Sequence, residues 1–310
     1  MYAGSKAFFY FLSRNTALKR LASKYGMATP ESFARRFIAG ETVEEAIHDA
    51  RVLQSRGMLL TLDYLGESVS TTEEAAAATR EYVRLIDVIV ASGIERNISL
   101  KLTQLGVDVD RATCVDNLRR ILDPARRDGF FVRIDMENSP YTDVTFEVFE
   151  TLWQQEYRNV GLVLQSALQR TEKDVRRMIE LGARVRLVKG AYKEPPSVAY
   201  QQKADVDAAF RRLMHLLLDH GTYPAIATHD EALIADTCAY AAERNIGRDR
   251  FEFQMLYGIR RDLQARLVAD GHRMRIYLPF GKQWFPYFMR RLGERPANVG
   301  FVLRALLRER

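Results

Sequence analysis

Eight short apolar runs, each followed by a longer amphipathic stretch, constrain this chain more than any other feature. They are MLLTLDYLG from Met58, ISLKLTQLG from Ile98, FFVRIDME from Phe130, VGLVLQS from Val160, VRLVKGAY from Val185, YPAIATHD from Tyr223, FEFQMLYG from Phe251 and MRIYLPFG from Met274. Runs this short suit strands buried on both faces, and strands spaced by helix-length segments build parallel sheets. Eight repeats predict a closed (β/α)8 barrel. The rival is an open doubly wound sheet, which usually carries a GxGxxG turn after its first strand, and none is present.

Helix signals sharpen the pattern. Thr71 with Glu74 forms a capping box, and Gly93 follows the last periodic residue of Thr71 to Ser92. Ala204 to Asp219 is a second amphipathic segment. Ahead of the first run, Thr29-Pro30-Glu31 and the Thr42/Glu45 pair predict helices that preface the barrel. The expected organisation is a helical arm over residues 1–50 and one barrel domain over 51–310.

Composition excludes several classes. Of 310 residues, 47% are hydrophobic and 28% charged, which is ordinary for a globular chain and leaves no room for extended disorder. Cys114 and Cys238 form no CxxC pair, so a reduced, intracellular protein is expected. The net charge of +6 is concentrated in an acid-free N-terminus carrying Lys6, Arg14, Lys19, Arg20 and Lys24. Without a basic run or an aromatic-interleaved basic loop, nucleic-acid binding has no support. AFFYFL, Ala7 to Leu12, is far shorter than the ~20 residues of a spanning helix. The basic N-terminus can pack on its own domain or rest on an anionic membrane surface, and the expected location is cytoplasmic with possible peripheral contact at the inner face of the membrane.

A barrel gathers its chemistry at the carboxyl ends of its strands. Polar residues end or follow all eight runs: Glu67; Lys101 and Gln104; Asp135 and Glu137; Gln165; Arg186 and Lys189; Thr228, His229 and Asp230; Gln254; and Tyr277. After the last run, YFMRRLGERP places Tyr287, Arg290, Arg291 and Glu294 on one helical face and Phe285, Phe288, Met289 and Leu292 on the other. What the polar stripe meets, solvent or a ligand, the spacing leaves open. Lys101, Arg186, Lys189, Arg290 and Arg291 outnumber Asp135 and Glu67, which implies an anionic ligand. No HxH, HExxH or GxSxG motif occurs, so no metal site and no serine nucleophile are expected. Imine chemistry at Lys101 or Lys189 stays open. A fixed cation at Arg186 instead suits a flavin, whose reduced ring carries negative charge.

VRLVKGAY, ATHD, FEFQMLYG and YLPFGKQWFPYFMRRLGERP together resemble the proline dehydrogenase family, in consistent order from about Leu59 to Asn298. The resemblance implies a distorted (β/α)8 TIM barrel with N-terminal helices and a C-terminal substrate-binding helix over its mouth. It further implies FAD, oxidation of L-proline to Δ1-pyrroline-5-carboxylate and electron delivery to a membrane quinone. Carried over by position, Arg290 and Arg291 hold the proline carboxylate, Lys101, Tyr277 and Leu256 line the substrate pocket, and Lys101 pairs with Asp135. Asp135 and Arg186 are the catalytic pair, with Arg186 against the flavin. Met136, Gln165, Val188, Lys189, Gly190, Ala191, Thr228, His229 and Glu294 complete the FAD contacts, and Glu67 latches a lid onto Arg290. The bifunctional branch fuses an aldehyde dehydrogenase to the same barrel. This chain has no length for one, so a separate pyrroline-5-carboxylate dehydrogenase is the expected downstream partner.

Overall fold

The structure, a computed structural model, describes Met27 and residues 32–294. The expected basic first helix and the Thr29-Pro30-Glu31 cap lie outside these residues. Eight parallel strands close in sequence order: β1 (Leu59–Tyr64), β2 (Asn97–Leu100), β3 (Phe131–Ile134), β4 (Val160–Gln165), β5 (Val185–Val188), β6 (Ala225–Ala227), β7 (Glu252–Leu256) and β8 (Met274–Phe280), with β8 paired back to β1. Between them run α2 (Thr72–Ser92), α3 (Arg111–Arg127), α4 (Thr142–Gln154), α5 (Thr171–Glu180), α6 (Lys203–His220), α7 (Glu231–Glu243) and α8 (Arg261–Ala269). Helix α1 (Val43–Ser55) precedes the barrel and α9 (Trp284–Glu294) follows it.

The caps read from sequence start these helices. Thr42 Oγ1 accepts from Glu45 N–H, and Glu45 Oε2 accepts from Glu41 N–H at 2.8 Å. Thr71 and Glu74 repeat the device on α2, with Glu74 Oε2 accepting from Ser70 N–H at 2.8 Å. Two donors that a helix start would leave orphaned are satisfied each time.

Strand alternation sorts the barrel into two surfaces. Leu60, Leu62, Ile98, Leu100, Val132, Ile134, Leu162, Leu164, Leu187, Ile226, Phe253, Met255, Ile276 and Leu278 face the helices and are buried. Residues of the other parity point inward, and many are polar: Thr61, Asp63, Ser99, Arg133, Gln165, Arg186, Glu252, Gln254, Arg275 and Tyr277. The runs are thus uniformly apolar on the helix side, while the barrel interior mixes charged and hydrogen-bonding side chains with apolar ones such as Val163 and Val188.

The expected boundary at residue 51 falls inside α1. Val43, Ala46, Ile47, Ala50 and Leu53 belong to the main core, and α1 packs on β1, β8 and α2. It thereby fills the outer position beside β8 that a helix following β8 would normally take. Helix α9 instead closes over the carboxyl ends of the strands. There Trp284, Phe285, Phe288 and Met289 join Phe37, Ile38, Leu65 and Ile259 in a second apolar cluster. Trp284 Nε1 donates to Glu41 at 2.9 Å, which anchors the start of α9 to the segment leading into α1.

Candidate active site

A cavity of about 560 Å³ opens at the carboxyl ends of the strands beneath α9. That is within the range of small-molecule sites. The structure brings Lys101, Asp135, Met136, Gln165, Arg186, Val188, Lys189, Gly190, Ala191, Thr228, His229, Leu256, Tyr277, Arg290 and Arg291 to its wall. Five residues that sequence reasoning assigned no role there also line it: Val163, Tyr192, Lys203, Ala227 and Met255. Tyr287, noted only for its helical face, does so too. Glu294 ends α9, and its side chain lies outside the described ones.

Each position has a local cause. Lys101 follows β2 with the inward parity of Ser99, and Asp135 follows β3 with the parity of Arg133. Arg186 lies at the second residue of β5, where register with β4 sets it opposite Val163. Arg290 and Arg291 reach the cavity because the apolar face of α9 is committed to the second cluster, turning the opposite face downward.

The inward groups form one connected network. Arg186 Nη1 donates to Asp135 Oδ1 at 2.7 Å, and Tyr277 OH donates to Asp135 Oδ2 at 2.8 Å. Arg186 Nη2 donates to Ser99 Oγ at 3.0 Å, while its Nε is buried with no protein hydrogen-bond partner. The guanidinium also lies over the Tyr277 ring, 5.3 Å from its centroid. Lys101 was expected to pair with Asp135. Its Nζ is 3.8 Å from that carboxylate but 3.3 Å from both oxygens of Asp63, which is fully buried on β1. Asp135 stands farther away, and its two oxygens accept from Arg186 and Tyr277.

Burial alone would lower the pKa of Lys101, but the charges of Asp63 and then Asp135 more than reverse this and raise it. Burial works in the opposite sense on Asp63, favouring its neutral form. With both carboxylate oxygens 3.3 Å from Nζ, the geometry is that of an ammonium–carboxylate pair. The Tyr277 hydroxyl is held protonated, chiefly by burial and then by Asp135.

On the open side, Arg290 Nη1 donates to Glu67 Oε1 at 2.9 Å. Burial would raise Glu67's pKa, yet Arg290's charge and hydrogen bond outweigh it and the net shift is downward. The loop carrying Glu67 is tied to its neighbour: Val69 N–H donates to Thr103 O at 3.0 Å, and a Cβ on Gly66 would stand 2.5 Å from Gln104 Nε2. Gln104 and Glu137, read from sequence as mouth residues, serve these loops. Gln104 bonds Tyr64 O and Tyr82, and Glu137 accepts from Thr103 Oγ1 at 2.6 Å.

The far end of the cavity is lysine-rich. Lys189 Nζ lies 2.6 Å from Asp207 and 2.8 Å from Asp230, and Lys203 bridges the same two carboxylates. Between them the chain turns at Gly190, whose φ of 115° disfavours any side chain and where a Cβ would also press on Gln165 Oε1 at 3.1 Å. His229 Nε2 accepts the Leu256 N–H at 3.0 Å, fixing the apolar wall. Neither cysteine lines the cavity; burial pushes the Cys114 thiol up to about 12.

Arg186 and Arg291 therefore bring two guanidinium groups to the wall of one cavity, which also carries an apolar surface of Met136, Val163, Val188 and Leu256. The family model described as proline dehydrogenase matches residues 46–304. The chain is similar to proline dehydrogenase 1 of Bacillus subtilis, 42% identical over 301 residues covering 97% of this chain and 98% of the relative. It is likewise 42% identical to proline dehydrogenase of Deinococcus radiodurans over 281 residues, 89% of this chain and 91% of that one. A structural neighbour is proline utilization A from Bdellovibrio bacteriovorus inactivated by N-propargylglycine, at TM-score 0.78 and 30% identity. It is matched over 84% of this chain, which spans about a third (32%) of the neighbour's length.

Proposed function

The chain belongs to the proline dehydrogenase family, oxidoreductases of the first step of proline catabolism, and from that premise we propose that it oxidises L-proline to Δ1-pyrroline-5-carboxylate with FAD held in the cavity under α9. The observation that carries the reading is the convergence of Lys101, Arg186, Arg290 and Arg291 on one cavity with an apolar wall.

The wall suits a flavin. Arg186 has a buried Nε with no protein partner, an orphaned donor where a ring acceptor would satisfy it. Lys189 and Lys203, flanking the Gly190 turn, would meet a diphosphate, and Met136, Val188 and Gln165 would flank the ring with Thr228 and His229 beyond. When bound, the flavin supplies a hydride acceptor at N5.

The protein's share is positioning and charge. Arg290 and Arg291, successive on α9, close on the proline carboxylate from adjacent sides, and Leu256 with Tyr277 limits the ring's tilt. Asp135 keeps Arg186 aimed through the 2.7 Å bond and carries the Tyr277 hydroxyl on its other oxygen. The positive wall disfavours a protonated substrate amine, leaving the nitrogen lone pair available as hydride departs. Glu67, bonded to Arg290, acts as the latch that holds its loop over the bound substrate.

Imine chemistry is the weaker reading. A Schiff-base lysine must be neutral to attack, whereas Lys101 is held charged by Asp63 and Asp135 and Lys189 lies between Asp207 and Asp230. Electrons then pass to a membrane quinone, and the product to a separate pyrroline-5-carboxylate dehydrogenase. No described helix is long and apolar enough to cross a membrane, which suits peripheral contact through the basic N-terminus. The test is the visible spectrum of the purified protein: a flavin band that bleaches on anaerobic addition of proline supports the reading. A colourless protein that cannot be loaded with FAD, or one trapped by borohydride with a keto substrate, overturns it.

A further inference from the structure

Asp63 has no place in the reading so far, yet no charged residue of the mouth is more deeply enclosed. Its side chain is fully buried, it is absent from the cavity wall, and both its oxygens lie 3.3 Å from Lys101 Nζ. We propose that Asp63 is a positioning residue of the reaction, fixing the Lys101 ammonium in the cavity wall without touching substrate itself.

Lys101 is 8% exposed and sits among strand ends, where a lone ammonium is strongly disfavoured. Of the acids that face it, Asp135 has both oxygens engaged by Arg186 and Tyr277 and stands 3.8 Å away. Glu67 is bonded to Arg290, and Glu137 to Thr103. Tyr192 and Tyr277 carry hydroxyls whose pKa burial raises, so both are neutral. Among the described residues, Asp63 alone accepts from Nζ within hydrogen-bond distance. Strand geometry makes the placement rigid: Asp63 pairs in register with Ser99 on β2, and Lys101 is the next inward residue along that strand. Without the Asp63 charge, Lys101 faces Arg186 across the wall with only the shared Asp135 between them. An amine so placed loses its proton more readily and its fixed direction with it.

The kinetic arm of the test rests on the proline-oxidising reading; the labelling arm does not. The flavin-loaded protein and its variants are treated with formaldehyde and cyanoborohydride at mildly alkaline pH, which methylates only neutral amines, and Lys101 is read by peptide mass spectrometry against surface lysines. Lys101 in Asp63→Asn is expected to label at least ~10-fold faster than in the parent, the change in neutral fraction for one pKa unit. Asp63→Glu, which keeps the charge, is expected to protect it. Kinetically, adding Asp63→Asn to Lys101→Met is expected to change proline kcat/KM by less than about threefold, because the residue through which Asp63 acts is already gone. Equal Lys101 labelling in the parent and Asp63→Asn, or effects of the two substitutions that simply multiply, would overturn the proposal. If Asp63→Asn does not fold, the double variant, which removes both buried charges, and Asp63→Glu carry the test: rapid Lys101 labelling in Asp63→Glu overturns it. Protection that follows the Asp63 charge in a protein that never turns over proline upholds the pairing and counts against the proline reading instead.

Discussion

The barrel holds two buried ionic networks, one at each end, and they are built differently. At the amino-terminal end Arg275 donates twice to Glu252, at 2.8 and 2.9 Å, and once to Glu95 at 2.7 Å. Gln254 adds a further bond to Glu252, and Arg133 donates to the carbonyls of Leu162 and Arg184. There the acceptors face protein donors, and Arg275 and Glu252 are almost wholly buried. At the carboxyl end the same residue types leave Arg186 Nε unmatched and turn Lys101, Arg290 and Arg291 toward a cavity. A buried charge in a barrel is therefore not a mark of function in itself. What separates the two ends is whether the protein's own groups consume its hydrogen-bonding capacity.

If this distinction is right, substitutions at the two ends should fail in different ways. Glu252→Gln strands part of the Arg275 fork and should cost about 3 kcal/mol of stability, read as a lowered urea midpoint, while kcat/KM of the folded enzyme stays within about threefold. A stable Glu252→Gln protein with collapsed activity would erase the contrast. Arg186→Met should do the reverse, slowing flavin reduction by ~10²-fold or loosening FAD, with a smaller change in melting than Glu252→Gln gives. An unaffected reduction rate with tight flavin would remove Arg186 from the functional end.

Smaller effects sharpen the picture. Glu67→Gln removes one partly exposed ion pair and should change the proline KM by no more than about fivefold. Its pH dependence has a definite sign. Because Glu67's folded pKa is lowered, its ion pair with Arg290 contributes fully above the ordinary glutamate value of about 4.3 and is lost as pH falls through the lowered one. Variation of KM with acid that is the same in Glu67→Gln as in the parent would deny it that role. The smallest effect concerns the substrate amine: kcat/KM for proline should rise with pH and level off as the amine loses its proton, with no further ionisation from Lys101, which the carboxylates keep charged.

The barrel was legible because its strands are apolar on the helix-facing side and short, so eight runs stood out against amphipathic helices. The mouth was legible wherever a polar residue fell just past a strand, as Lys101, Asp135 and Lys189 do, or broke an apolar run with a charge, as Arg186 does. Asp63 escaped that reading because it sits inside LLTLDY, where a single polar residue resembles noise. Parity would have found it: Thr61 and Asp63 share the inward phase of Ser99 and Lys101, so the register that carries one lysine inward carries its partner too. Tyr192 was missed for a different reason, since it follows β5 in a long loop whose path no periodicity fixes. The place of α1 beside β8 was likewise hidden, because which helix fills an outer position depends on how the barrel closes. Tyr82, Leu85, Ile86 and Ile89 on α2, by contrast, needed only the 3.6-residue period to be placed in the core.

The claim on which all else depends is that the adjacent guanidinium groups of α9 hold the substrate by its carboxylate. Stopped-flow reduction of the FAD-loaded protein over a range of proline concentrations tests it in Arg291→Met. The half-saturating concentration should rise ~30-fold or more, as loss of a buried charge pair requires, while the limiting rate at saturation changes little and the flavin stays bound. Half-saturation equal to the parent's would contradict it.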